Sequence, residues 1–269
     1  MSTRHPAALS LAAALLAGSL AAALPAAAEN AAHLTYVGYL GGAPVLSLQA
    51  NIAVPEGAKP AEGGYIVTAD MATTGNLALL YPFTQSLKAS GALKGHRPQP
   101  ASYRSDMRIW NKQESVALTY GANGKVAIEA VPLTRQAQMA ASQGYANGTI
   151  DPASAIVAVA SAFAESGKCA GRYALFDGAR RYDLVLEQGG FADLDPLGDS
   201  YYAGSATECT ATPELVAGFQ QSALSANLYP QSAKLWMAPA IAGFPSVPVR
   251  IVAQSSFGEM TLELTQVSQ

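Results

Sequence analysis

Three stretches of this chain alternate apolar and polar residues on both sides of a tight turn, and no other feature restricts its fold as strongly. LTYVGYLGGAPVLSLQANIAV, from Leu34 to Val54, reads as two strands joined at Gly41-Gly42, with Leu46, Leu48 and Ile52 on one side of the second. SVALTYGANGKVAIEAV repeats the design around Asn123-Gly124: Val116, Leu118 and Tyr120 face one way and are answered by Val126 and Ile128. VPVRIVAQSSFGEMTLELTQV closes the chain likewise, with Val249 and Ile251 before the turn and Met260, Leu262 and Leu264 after it. A side-chain period of two marks strands with one buried face. Hairpins with one apolar face each predict a mainly β fold, a strongly curved antiparallel sheet or half-barrel.

Two segments depart from that period. TGNLALLYPFTQSLKASG, from Thr74 to Gly91, places Leu77, Leu80, Thr84 and Leu87 on one helical face, with Pro82 tolerable only at a kink or first turn. DPASAIVAVASAFAESG reads as a complete helix: Asp151 caps, Pro152 suits the first helical position and Gly167 closes the end. Ile156, Val157, Val159, Ala160, Phe163 and Ala164 cover most of its circumference, so it is expected inside the curve of the sheet. The Pro- and Gly-rich stretches 55–64, 94–103 and 238–248 read as connecting loops.

The first 28 residues join Arg4 to an uncharged Ala/Leu run from Ala7 to Leu24, then Pro25 and Ala26-Ala27-Ala28. That is the pattern of a secretory signal peptide cut near Ala28. A spanning helix needs about 20 strongly apolar residues, and this run is mostly alanine. Residues 29–269 are therefore expected as one curved-sheet envelope domain in the periplasm, with no integral membrane segment. The full chain carries 16 basic and 19 acidic side chains, and losing Arg4 makes it more acidic, which excludes nucleic acid as a partner. Cys169 and Cys209 are the only cysteines, and in an exported chain such a pair reads as a disulfide. Closing a loop of about forty residues contributes roughly 4 kcal/mol in the chain-entropy model.

GRYALFDGARRYDLVLE, from Gly171 to Glu187, crowds charges around Asp177-Gly178. Taken as a two-residue turn, that dipeptide sets Tyr173 opposite Tyr182, Leu175 opposite Arg180, Arg172 opposite Asp183 and Ala174 opposite Arg181. Arg180 then falls on the apolar side. It either forks onto a phosphate or carboxylate head group or extends to solvent at the rim.

The sequence resembles the bacterial domain of unknown function 3108 family of exported envelope proteins. The resemblance rests on the double strand from Tyr36 to Leu48, the stretch SGALKGHRPQPASYRSD from Ser90 to Asp106, and the helix start Asp151-Pro152-Ala153-Ser154. The run from Phe176 to Asp183 and the closing hairpin from Pro248 to Leu264 complete it. It implies an architecture similar to the periplasmic carriers LolA and LolB, in which a curved sheet wraps around one or two helices and encloses an apolar cavity. Handling of a lipid or another hydrophobic envelope component follows from that analogy, which transfers no site residue.

Enzyme motifs are missing. His33 and His96 have no second ligand at metal spacing, and there is no nucleophile elbow, phosphate loop or dinucleotide fingerprint. Asp193 and Asp195 lack calcium-loop spacing and read as a solvated loop. The expected function is therefore non-enzymatic: binding or carrying a lipid or other hydrophobic small molecule between sheet and helices, with no catalytic residue, metal or cofactor. Tyr36, Leu80, Tyr81, Phe83, Ile156, Phe163, Arg180 and Trp236 are the candidate cavity residues. Two alternatives stand beside it: a scaffold that binds an envelope protein through a sheet edge, and an enzyme acting on an envelope precursor.

Overall fold

A computed structural model describes residues 29–55, 62–95, 97–220, 232–255 and 258–269. The expected signal peptide with its cut near Ala28, and His96, lie outside the described residues. The elements are β1 (Glu29–Leu40), β2 (Ala43–Pro55), β3 (Glu62–Thr73), α1 (Gly75–Leu80), β4 (Phe83–Lys94), β5 (Arg97–Ile109), β6 (Lys112–Tyr120) and β7 (Val126–Val131). They continue as α2 (Arg135–Gln143), α3 (Pro152–Ser166), β8 (Gly171–Phe176), β9 (Arg181–Leu194), β10 (Gly204–Ala217), β11 (Ala233–Ala238), β12 (Val247–Ser255) and β13 (Gly258–Ser268).

Among the described residues thirteen strands form one antiparallel sheet in the order β7-β6-β5-β4-β3-β2-β1-β13-β12-β11-β10-β9-β8. The first and last strands pair in its middle, and the two edges, β7 and β8, come from the middle of the chain. The connection between those edges holds α2 and α3. Residues Tyr145 to Ile150 strap the seam: Gly148 N donates to Gly124 O at 3.3 Å, and Val126 N donates to Asn147 Oδ1 at 3.4 Å. On the other side Ile150 N donates to Ala174 O at 2.9 Å and Phe176 N to Ile150 O at 3.0 Å. The strap thus bridges the two edges of a large curved sheet whose strand ladder does not close on itself.

The three alternating stretches are the hairpins β1–β2, β6–β7 and β12–β13, with Leu118 opposite Ile128 and Ile251 opposite Leu262. The segment from Thr74 to Gly91 differs from expectation. It is helical only over Gly75–Leu80; Pro82 ends the turn, and from Phe83 the chain is strand β4. Leu87 sits opposite Ala69 on one side and Ser105 on the other. Two ladders of backbone hydrogen bonds outweigh the helical spacing of three leucines. Residues 97–103 belong to β5 rather than to a loop. Pro98 and Pro100 are tolerated because β6 reaches only as far as Ser102, so this end of β5 is a local edge.

The charged hairpin closes through four residues, Asp177 to Arg180, not two, with Asp177 N donating to Arg180 O at 3.2 Å. Tyr173 therefore pairs with Leu184, Leu175 with Tyr182 and Ala174 with Asp183. A shift of two positions keeps every side chain on its expected face. Arg172 still reaches Asp183 at 2.8 Å, and also Glu214 at 2.6 Å. Gly178, at φ 109°, presses against β6: a Cβ there would stand 2.3 Å from Val116 Cγ1.

α3 lies inside the curve, against β3, β4, β5 and β8. Asp151 accepts from Ser154 N at 2.8 Å, Pro152 opens the helix and Gly167 closes it at φ 65°. Ala153, Ser154 and Ala158 are fully buried, and such small side chains let the helix approach the strands. Burial is less complete than the apolar circumference suggests, since Ile156 faces outward with 44% exposure. Cys169 and Cys209 form a buried disulfide with Cα atoms 5.7 Å apart, packed by Met237, Phe163 and Leu235. It ties the end of α3 to β10 across a separation of 40 residues. Cys169→Ser with Cys209→Ser is expected to lower unfolding free energy by about 2–4 kcal/mol in urea titrations without reductant. Adding reductant should bring the parent to the same curve, and coincident curves before reduction would refute the role.

Candidate functional site

The concave face opens at one end of the sheet, and its lining follows from register. Gln85, Met107 and Glu114 are successive cross-strand partners on β4, β5 and β6, as are Leu87, Ser105 and Val116. Directly opposed residues share a face, so these six line one wall. With the starts of α2 (Thr134, Gln136) and α3 (Pro152), and the β8–β9 turn, they enclose a cleft of 530 Å³ whose lining is about equally polar and apolar, the more polar of the two clefts at this end. Tyr103 and Ser105 lie deep in it and Glu114 stands near its rim.

A second cleft of 280 Å³ adjoins the first on β9, β10 and β11. Leu184 pairs with Pro213, Tyr182 with Leu215 and Ala211 with Ala233, so the same alternation turns an apolar wall inward, with Phe219 beside it. Asp177, Arg180 and Tyr182 line both clefts. They are the junction of a chamber of mixed polarity with a mostly apolar one.

That junction is held by its own hydrogen bonds. Asp177 Oδ1 accepts from Ala179 N at 3.1 Å and Arg180 N at 2.8 Å. Its Oδ2 accepts from Arg180 Nε at 2.7 Å and Nη2 at 2.7 Å. The guanidinium forks onto the protein's own carboxylate, so the pair presents donors and acceptors with no net charge. Glu114 leaves the polar cleft slightly acidic.

Beneath the clefts a buried polar cluster surrounds the start of α3. Ser154 Oγ donates to Asp151 Oδ2 at 2.6 Å, and the Tyr65 hydroxyl meets Ser154 Oγ at 2.7 Å. Gly91 makes room for that phenol, since a Cβ there would lie 2.6 Å from Tyr65 Oη. Burial pushes the Asp151 carboxyl above the usual carboxylate range, although Ser154 works against the shift. Burial likewise raises Tyr65, Tyr120 and Tyr182, and pushes the Tyr103 phenol up to about 12, so these four stay neutral. Among the described residues no three His, Cys, Asp or Glu side chains gather as a metal site.

Of the eight residues singled out in the sequence, only Arg180 lines these clefts. Tyr36 is buried and donates to Pro248 O at 2.8 Å. Phe163 packs on the disulfide, Phe83 is half-buried at the start of β4, and Trp236 is half-buried with its indole nitrogen unpaired. Leu80 is 76% exposed on α1, Tyr81 meets the Trp110 ring edge-on at 4.9 Å, and Ile156 faces outward. Reading helix through Thr74–Gly91 hid Gln85 and Leu87. The alternation of Phe83, Gln85 and Leu87 with polar neighbours was the available signal.

The raised Asp151 gives a pH test. Its carboxyl holds a proton more tightly folded than unfolded, so its ionisation removes stability as pH rises from the unfolded value near 3.8 through the raised folded one. Asp151→Asn keeps an N-cap acceptor and removes the titration. The unfolding free energy of the parent relative to this variant is expected to fall across that interval in urea titrations at stepped pH. A constant difference would refute it.

No curated protein matches the chain. A crystal structure of a beta-barrel-like protein of domain of unknown function DUF1849 from Brucella abortus aligns with a TM-score of 0.49 at 9% identity, covering 88% of this chain and 96% of that one. The family model described as Protein of unknown function (DUF3108) matches residues 35–265, a span that begins in β1, ends in β13 and contains both clefts. The chain belongs to that family.

Proposed function

We propose that this protein is a non-enzymatic, exported envelope carrier that binds a single-tailed or slender amphiphile with a neutral, hydrogen-bonding head. The reading rests on one observation: an apolar cleft and a polar cleft share Asp177, Arg180 and Tyr182 at the mouth of the curved sheet. The tail lies along Leu184, Pro213 and Leu215, where burying apolar area gives affinity. The head enters among Gln85, Ser105, Thr134 and Gln136, whose amides and hydroxyls both donate and accept. Asp177 already answers Arg180, and Glu114 adds negative charge, so an anionic head finds no net attraction there. The leader-like first residues and the buried disulfide support export to the periplasm.

Native mass spectrometry of the mature protein from its own periplasm tests this. A stoichiometric amphiphile with an uncharged head is expected. An anionic ligand would overturn the head-group assignment, and an empty protein that also ignores the neutral dye N-phenyl-1-naphthylamine would overturn the carrier. Leu215→Gln is expected to weaken dye binding by about tenfold with little change in melting temperature, since Leu215 lies on the open side of the apolar cleft.

A further inference from the structure

The turns around the mouth hold large apolar side chains in water. Leu79 and Leu80 on α1 are 82% and 76% exposed, Val131 and Leu133 after β7 are 70% and 58%, and Trp110 in the β5–β6 turn is 54%. Connectivity places them at one end. α1 joins β3 to β4, Trp110 follows Ile109, and Val131 stands opposite Ser115 near the start of β6. Gln85, Met107, Glu114 and Thr134 of the polar cleft lie within a few residues of them. α1 and the β5–β6 turn make one platform, because Trp110 N donates to Pro82 O at 3.0 Å and the Trp110 ring packs on Tyr81.

Trp110 breaks a local rule. It is the first of two turn residues between β5 and β6 and has φ 51°, a left-handed conformation that glycine supplies without strain in such turns. The edge-on contact with Tyr81 covers only part of the indole, and 54% of Trp110 is left facing solvent at this strained position. The flanks add a second observation. Arg108, Lys112 and Arg135 are exposed beside these side chains, and segments 74–82, 108–112 and 131–135 contain no acid. Glu114 is exposed at the cleft rim, and Glu259 and the loop with Asp195 and Asp199 lie at the same end of the sheet but three strands from α1, beside β13.

We infer that this rim seats the protein on a bilayer containing anionic phospholipid, with Trp110, Leu79 and Leu80 entering the interfacial layer and Arg108, Lys112 and Arg135 meeting lipid phosphates. Tryptophan favours that layer because one end of its ring system is apolar and the other donates a hydrogen bond. Apolar insertion plus basic residues near an anionic surface is the combination that gives reversible attachment. The docked rim turns the polar cleft towards the lipid, and the inference stands whatever that cleft holds.

Sedimentation of residues 29–269 with vesicles of equal parts phosphatidylcholine and phosphatidylglycerol tests it. Binding is expected, with a loss of about tenfold or more on phosphatidylcholine alone or at high salt. Trp110→Gly should lower vesicle binding by about tenfold or more. Its melting temperature should equal or exceed the parent's, because glycine suits the turn. Leu79→Ser with Leu80→Ser, away from the strained turn, should show the same loss. A parent that stays in the supernatant, or a Trp110→Gly variant that binds like the parent, would overturn the inference. So would a parent dimer in light scattering that Trp110→Gly dissolves, which would assign the rim to a second copy. Ligand occupancy by native mass spectrometry should be unchanged in both variants; its loss together with vesicle binding would return the rim to the ligand site.

Discussion

A thirteen-stranded antiparallel sheet has two edges whose unpaired N–H and C=O groups must find partners, and the strap from Tyr145 to Ile150 supplies several of them, one at the start of β7 and two on β8. On one side it bonds the β6–β7 hairpin, on the other it adds a short parallel bridge from Ile150 to Leu175 of β8. Arg181 Nη1 also donates to Tyr145 O at 3.4 Å. Much else depends on this seam. Because the strap ends at Ile150, Asp151 is delivered directly to the interior and α3 begins under the mouth. Because β8 is held near β7, the β8–β9 turn can lean on β6, where Gly178 meets Val116.

The interior that results is not uniformly apolar. Asp151, Ser154 and Tyr65 form a chain of hydrogen bonds among buried small side chains, and each buried polar atom in that chain has a partner. Such an arrangement fixes one seating of α3, since sliding the helix by a turn would strand a carboxyl in low dielectric. A comparable device acts on the β12–β13 hairpin. Buried Glu263 bonds Arg250 and accepts from Ser200 Oγ at 2.9 Å, while Arg250 Nη2 donates to Asp195 O at 2.8 Å. The loop before β10 is thereby fastened over two strands by charge-assisted bonds.

Legibility followed the range of the interaction. Turns and caps that depend on a few neighbouring residues were readable: Gly41-Gly42, Asn123-Gly124, and the Asp151, Pro152 and Gly167 signals all stand where the residues placed them. The β8–β9 hairpin was readable as a face pattern but not as a loop length, because Asp177 binds the backbone at Ala179 and Arg180 and draws both into the turn. Leu77 and Leu80 do lie on α1, but extending their helical spacing to Thr84 and Leu87 misled, since that spacing could not reveal that β3 and β5 wait on either side of β4. The site was the least legible part. Aromatic and aliphatic residues such as Tyr36, Phe163 and Trp236 went to core packing, and the cleft walls came from modest polar residues such as Gln85 and Ser105.

By itself the sequence determined the strand period, the main turns, the capped helix and the pairing of its two cysteines, because each depends on residue chemistry within short reach or on a forced choice of partner. Only the tertiary structure decided which edges meet, that β1 and β13 pair at the centre, and that Gln85, Arg180 and Leu215 converge on one mouth. Those three lie on β4, in the β8–β9 turn and on β10. Their meeting is a product of sheet curvature and closure, a sum over many strands that no local stretch encodes.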